Sequence, residues 1–169
     1  MIKEFLINLI PARIKWKKSV SGTGEMYKEI LNSLVEKYGN SAVKDLSEVM
    51  YKIGFEQGKE IQEKIKVKDN LYGCALVLLT MHRIFGIKSK IVEKSDKKVV
   101  IHISYCQWKD KEGWNPKCCL SLASYERDLV ENINPNIIHK YTKTRSLGNE
   151  FCEIVLEEVK ILLGKELEI

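Results

Sequence analysis

Up to Gly86 the apolar residues recur at helical spacing, and beyond it they alternate with polar ones. Ile2, Phe5, Leu6, Leu9 and Ile10 mark a short amphipathic helix that Pro11 interrupts. Ser19 to Gly24 has the composition of a loop. Met26, Ile30, Leu34 and Tyr38 then form one stripe, closed by Gly39. Asn40 or Ser41 is placed to cap the next helix, which runs to about Ile65. Its inner side carries Val43, Leu46, Met50, Ile53, Gln57, Ile61 and Ile65. Gly54 and Gly58 share one face of it. Each costs about 1 kcal/mol relative to alanine, so a neighbouring backbone or a ligand should approach there, and close helix packing is the simpler cause. Leu71 to Phe85 is apolar on most sides and predicts a central buried helix stopped by Gly86. Within it Cys74 reads as inert core, and His82 as structural or solvent-facing near the helix end.

The period-two half predicts two hairpins. Ile87 to Lys94 and Val99 to Gln107 are strands joined by Asp96-Lys97-Lys98. Val99, Ile101, Ile103 and Tyr105 share one face; Val100, His102, Ser104 and Cys106 share the other. Trp108 to Pro116 is a loop, and Pro116 opens a helix from Lys117 to about Glu131. Ile137 to Ser146 and Phe151 to Val159 are strands around a Leu147-Gly148-Asn149 turn. The tail, Lys160 to Ile169, extends the last strand or forms a small helix. The pattern predicts an α+β fold: N-terminal helices packed on an antiparallel sheet of about four strands, built from two β-hairpins with an intervening helix. Residues 1–24 read as a docking helix and linker, and residues 25–169 as a single α+β ligand-binding domain.

Composition narrows the class. A chain of 169 residues, 44% hydrophobic and 30% charged, can build one real core. No apolar run approaches the roughly 20 residues that span a bilayer, and the N-terminus lacks signal-peptide order, so a cytoplasmic protein without stable membrane insertion is expected. Five unevenly spaced cysteines argue against a secreted disulfide framework. The net charge of +5 is spread along the chain and comes almost entirely from lysine, which argues against a nucleic-acid partner. Arg13-Ile-Lys15-Trp16-Lys17-Lys18 is the exception: a solvated linker, or a segment that touches phosphate or an anionic surface.

The chemistry-bearing residues gather in the last third. Cys106, Cys118, Cys119 and Cys152 all lie there, and His102 shares a strand face with Cys106. Thiolates are soft ligands and strong nucleophiles, so the set suits metal binding, covalent chemistry or redox sensing; buried thiols also serve as small apolar filling. Cys118 and Cys119 fall in the first turn of a helix, where the dipole lowers a thiol pKa. A zinc site would draw on Cys106, Cys118, Cys119 and Cys152, with His102 as a further donor; no cofactor is certain. Trp108 and Trp114 lid a pocket or staple their loop to the core. No P-loop, dinucleotide fingerprint, zincin motif, nucleophile elbow or kinase signature is present.

The segment Asn134-Pro-Asn-Ile-Ile-His-Lys-Tyr-Thr-Lys-Thr-Arg-Ser-Leu-Gly-Asn-Glu-Phe-Cys152-Glu-Ile adds a family expectation. Its basic, threonine-containing strand, Gly-Asn turn and closing cysteine resemble the C-terminal signature of the L-2-amino-thiazoline-4-carboxylic acid hydrolase-like family. Cys106, and Cys118 or Cys119, match that pattern as well. The same segment resembles the 4-vinyl reductase domain, a small-molecule-sensing fold shared with haem-nitric-oxide-binding domains. Two of that domain's zinc-binding positions fall on Cys118 and Cys152, while Tyr141 and Thr144 replace its glutamate and cysteine. The first resemblance implies ring-opening hydrolysis of a C–N bond in a cyclic amidine carboxylate. Such a reaction needs a nucleophile or activated water, a proton donor and a cation for the carboxylate. Cys106 or Cys118 would be the nucleophile, His102 the acid/base, and Lys143 or Arg145 the anchor; Trp108, Trp114 and Tyr141 complete the expected ligand site.

Three readings stay open: an enzyme of this type, a non-catalytic small-molecule, metal or redox sensor, and an interaction subunit with a filled pocket. The partners expected are a small-molecule ligand or substrate and a second copy in a homodimer.

Overall fold

The computed structural model describes residues 11–159. The helix expected over Ile2 to Ile10 and the tail from Lys160 to Ile169 lie outside these described residues. The order is α1 (Ala12–Tyr38), α2 (Asn40–Ile65), α3 (Leu71–Ile84), β1 (Lys88–Lys94), β2 (Lys98–Tyr105), α4 (Pro116–Ile133), β3 (Ile137–Lys143), a 3-10 turn (Arg145–Leu147) and β4 (Cys152–Glu158). This is the α+β arrangement expected from the pattern. No helix of the described residues is long and apolar enough to cross a membrane.

The first helix departs from expectation by running unbroken through Ser19 to Gly24. Tertiary contact overrides the weak local propensity there. Thr23 Oγ1 donates back to the Ser19 carbonyl at 3.0 Å, and Trp108 Nε1 donates to the Val20 carbonyl at 3.0 Å. The join to α2 also differs. Gly39 is the N-cap residue and no side chain caps the helix; Ser41 Oγ instead donates to the Tyr38 carbonyl at 2.8 Å. Asn70 and Asn115 cap α3 and α4, each side chain accepting a backbone N–H at 2.9 Å.

The four strands form one antiparallel sheet in the order β1-β2-β4-β3. Each hairpin is an expected one, and they join through their inner strands, with Ile101 opposite Ile154 and Val99 opposite Leu156. The alternation puts Val99, Ile101 and Ile103 on one face, and that face is the inner one. Val99, Ile101, Ile103, Ile154 and Leu156 face the helices and pack on Val77, Leu78, Val130 and Ile133. Each such side chain contributes about 1.5–3 kcal/mol through burial. A register shift between Tyr141 and Lys143 ends the regular pairing of β3. The chain then turns at Arg145–Leu147, where a strand to Ser146 was expected.

Helices α2 and α4 meet most closely of all, and the glycine pair is the reason. A Cβ on Gly54 would fall 2.3 Å from the Tyr125 carbonyl oxygen, and one on Gly58 would fall 2.6 Å from that of Leu129. Close helix packing, rather than a ligand, explains both.

Candidate functional site

Between α4 and the inner face of the sheet lies a cavity of about 340 Å³. Its walls are mostly apolar: Ile87, Ile103, Leu120, Leu122, Ala123 and Leu147. Three of the expected cysteines reach it. Cys106 enters from just beyond β2, Cys119 from the first turn of α4, and Cys152 from the start of β4. Cys118 does not. Its neighbour in sequence takes the cavity-facing position, and helical geometry turns Cys118 toward Leu31 and Val43, fully buried.

Burial decides the state of these thiols. It pushes Cys118 up to about 11, against a lowering contribution from backbone at Asn115. The lowered thiol expected at this helix start is therefore not found for Cys118. Cys106 and Cys152 are also pushed up by burial, with backbone N–H groups opposing. One of these, from Arg145, lies 3.2 Å from Cys152 Sγ. Cys119 Sγ accepts from Trp114 Nε1 at 3.3 Å. Among the described residues, no three His, Cys, Asp or Glu side chains are grouped to hold a metal.

The polar centre of the cavity is a residue the sequence reading passed over. Glu126, on α4, lines the cavity and is nearly buried. Its Oε1 accepts from His82 Nε2 at 3.0 Å, and its Oε2 accepts from Tyr141 OH at 2.7 Å. His139 Nε2 stands 3.4 Å from Oε2, too poorly aligned for a hydrogen bond. Burial alone would raise the Glu126 carboxyl, but His82 and His139 outweigh it and hold the group well below the usual carboxylate range. An ionised carboxylate only accepts, so His82 Nε2 carries a proton; His82 Nδ1 meets Ser89 Oγ at 2.9 Å. Burial and the adjacent Glu126 push the Tyr141 hydroxyl far above its ordinary value, so it stays a donor. Of the two roles expected for His82, the structural one is found and the solvent-facing one is not. A carboxylate has about four lone-pair sites, so Glu126 keeps capacity for a ligand. Thr144 Oγ1 adds a buried hydroxyl without a partner on the cavity wall, and Lys109 and Lys117 add two cations.

The remaining expected residues divide. Trp108 does both things foreseen for it: it lines the cavity and staples its loop, with 5% of its surface exposed. Gly24 makes room for it, since a Cβ there would fall 2.3 Å from the indole. Trp114 does not line the cavity itself; it packs beside Tyr27 and behind the lining residues Cys119 and Trp108. His102 sits on the opposite sheet face from the core residues Ile101 and Ile103. There it meets Glu153 Oε2 at 2.9 Å and stacks on Phe151 with ring centroids 4.1 Å apart. It does not join Cys106, because β2 ends at Tyr105 and the alternation no longer governs the next residue. Lys143, past the register shift, joins His102 at Glu153, 3.4 Å away. Arg145 pairs with Asp110 at 3.4 Å and is itself mostly buried. Neither cation lines the cavity.

Glu126 did leave a signal. Leu122, Ala123, Leu129, Val130 and Ile133 recur at helical spacing, and Glu126 falls inside that apolar stripe. An acid in that position needs buried partners.

The family model described as L-2-amino-thiazoline-4-carboxylic acid hydrolase matches residues 17–156. Two solved structures share the fold. A trafficking protein particle complex subunit 3 from Naegleria fowleri, covalently bound to palmitic acid, has a TM-score of 0.66 at 16% identity, covering 85% of this chain and 97% of that one. The phenol-responsive sensory domain of the transcription activator PoxR, with phenol, has a TM-score of 0.59 at 14% identity, covering 82% of this chain and 74% of that one. No curated protein sequence matches this chain.

Proposed function

The chain belongs to the L-2-amino-thiazoline-4-carboxylic acid hydrolase family, and on that premise we propose that it binds a small molecule in the cavity between α4 and the sheet. The observation that carries this reading is an ionised, nearly buried carboxylate on the wall of an otherwise apolar cavity of about 340 Å³. The ligand has an apolar body and one N–H-bearing or cationic group directed at Glu126. The two fold neighbours hold palmitic acid and phenol, which supports the apolar body.

The finer reading is ring-opening hydrolysis of a cyclic amidine carboxylate. A carboxylate held far below its usual pKa is a weak general base but a strong partner for an amidinium. Glu126 keeps the amidine protonated, which makes its carbon a better electrophile. Lys109 or Lys117 takes the carboxylate. Water adds to the amidine carbon and its oxygen becomes the carbonyl oxygen; the ring C–N bond breaks, and the departing nitrogen takes both water protons and leaves as an ammonium group. The thiols are held protonated at Cys106 and Cys152 and give no ready nucleophile. That observation favours a second reading, a sensor that binds without turnover.

One experiment separates the readings. 2-Amino-thiazoline-4-carboxylate is titrated calorimetrically into the chain while ring opening is followed chromatographically. Saturable binding with product formation, both lost in Glu126→Gln, supports hydrolysis. Binding without product supports the sensor. No binding of this compound or of phenol would overturn the cavity assignment.

A further inference from the structure

A second concavity opens where α1 crosses the C-terminal end of α3. Trp16 Nε1 holds the crossing by donating to the Ile84 carbonyl at 2.9 Å, and Gln107 Nε2, from the loop after β2, donates to the Phe85 carbonyl at 3.1 Å. The cleft beside them encloses about 900 Å³. Arg13 and Lys17 reach it from α1, Arg83 from α3 and Lys88 from β1, and no aspartate or glutamate among the described residues lines it.

Several cations elsewhere sit beside acids: Lys64 with Glu60, Lys98 with Glu93, Lys111 with Glu25, Lys140 with Glu157. In the cleft, among the described residues, none of the four cations has a carboxylate within ion-pair distance. The helix end also fails to account for Arg83. Cations are favoured at a helix C-terminus by its free carbonyls, but Trp16 and Gln107 already donate to two of them. The four positive charges come from three distant chain segments and repel one another. Leu76, Leu79 and Ile87 form an apolar floor beside these exposed cations, and a concave low-dielectric wall focuses their field.

We propose that this cleft binds a multiply charged oxyanion, the chemistry of an oligophosphate, either free or as a phospholipid headgroup. Arg13 and Arg83 supply planar forks that suit phosphate oxygens, and Lys17 and Lys88 supply point charges. The basic run around Trp16 therefore serves as one wall of a binding site rather than as a solvated linker. The site is separate from the Glu126 cavity and does not rest on the function proposed for it.

The test uses the full chain at low ionic strength, where such contacts are least screened. Inorganic tripolyphosphate is titrated by calorimetry. In parallel, flotation is measured with phosphatidylcholine vesicles with and without phosphatidylinositol bisphosphate. The double variant Arg13→Ser/Arg83→Ser is compared with Lys44→Ser/Lys52→Ser, which removes the same net charge from exposed positions on α2. The charge-retaining Arg13→Lys/Arg83→Lys covers the case in which the serine variant folds poorly. Saturable tripolyphosphate binding, weakened about tenfold or more by the arginine pair alone, assigns the cleft to a free oligophosphate. Vesicle binding with the same dependence, and no tripolyphosphate binding, assigns it to a headgroup. Absence of both, or equal weakening in the two serine variants, overturns the proposal.

Discussion

Glu126 accepts from His82 and Tyr141 while burial works against its charge, so it is the residue at which stability and ligand chemistry meet. Glu126→Gln keeps the shape and removes the charge those donors face. Breaking such a buried network costs about 3–5 kcal/mol, and a thermal melt should read this as a clear drop in Tm. The pH dependence follows from the same group. Its folded pKa lies below 4.5, so its stabilisation is fully present above 4.5 and is lost as pH falls through the acid range. Glu153 acts in the same direction, lowered to about 2 by hydrogen bonds from Thr142 and His102. The thiols act at the other end. Burial raises Cys118 from 9.0 to about 11 and Cys74 to about 12, so their contribution is present below 9.0 and is lost as pH rises. Urea midpoints measured against pH should therefore show a plateau with falls below 4.5 and above 9.0; a midpoint that keeps rising from 4.5 down to acid pH would contradict the ionised Glu126. Alkylation gives a second check. Cys106, Cys119 and Cys152 should react before the fully buried Cys74 and Cys118, and a bound ligand should protect only the first three.

Helices α2 and α4 are joined by backbone contact rather than by large side chains, which makes two glycines the most sensitive positions of that seam. Gly54→Ala or Gly58→Ala should gain about 1 kcal/mol in helix propensity. Each should lose more than that, because a Cβ would overlap a carbonyl oxygen at 2.3 or 2.6 Å. A guanidinium titration of each variant measures the balance; a stabilised variant would mean the seam opens freely. The elements themselves were largely legible. Helix periods, the two hairpins and the Pro116 helix start all appear in the hydrophobic pattern, and the glycine pair announced close packing. Ser19 to Gly24 was misread because its helical state comes from Trp108, a residue distant in sequence, and local composition carries no trace of that contact. The pairing of His102 with Cys106 failed for a smaller reason: the strand ends two residues earlier than expected, at Tyr105, which frees the cysteine from the alternation. Cys119, Tyr141 and Trp108 reach the cavity through helix start, strand face and loop placement, which are local properties. The partners of Glu126 were not legible in this way, since they arrive from α3 and β3.

At the level of the whole molecule, ligand should stabilise the chain in proportion to its occupancy. A ligand at about one hundred times its Kd adds about 2.7 kcal/mol, so the Tm in phenol or 2-amino-thiazoline-4-carboxylate should rise with concentration, and Glu126→Gln should abolish the rise. The sheet order has a kinetic consequence too. Each hairpin closes over a short connection, whereas the β2–β4 seam pairs Ile101 with Ile154 across the loop and helix between them. Non-local pairings of this kind are slow to form. The cavity draws Ile103 from β2, Glu126 from α4, Tyr141 from β3 and Cys152 from β4. Two early hairpins can therefore exist without any cavity between them. The recognition surface comes into being only at the final closure of the chain, so a newly made molecule has nothing to offer its ligand until it is complete.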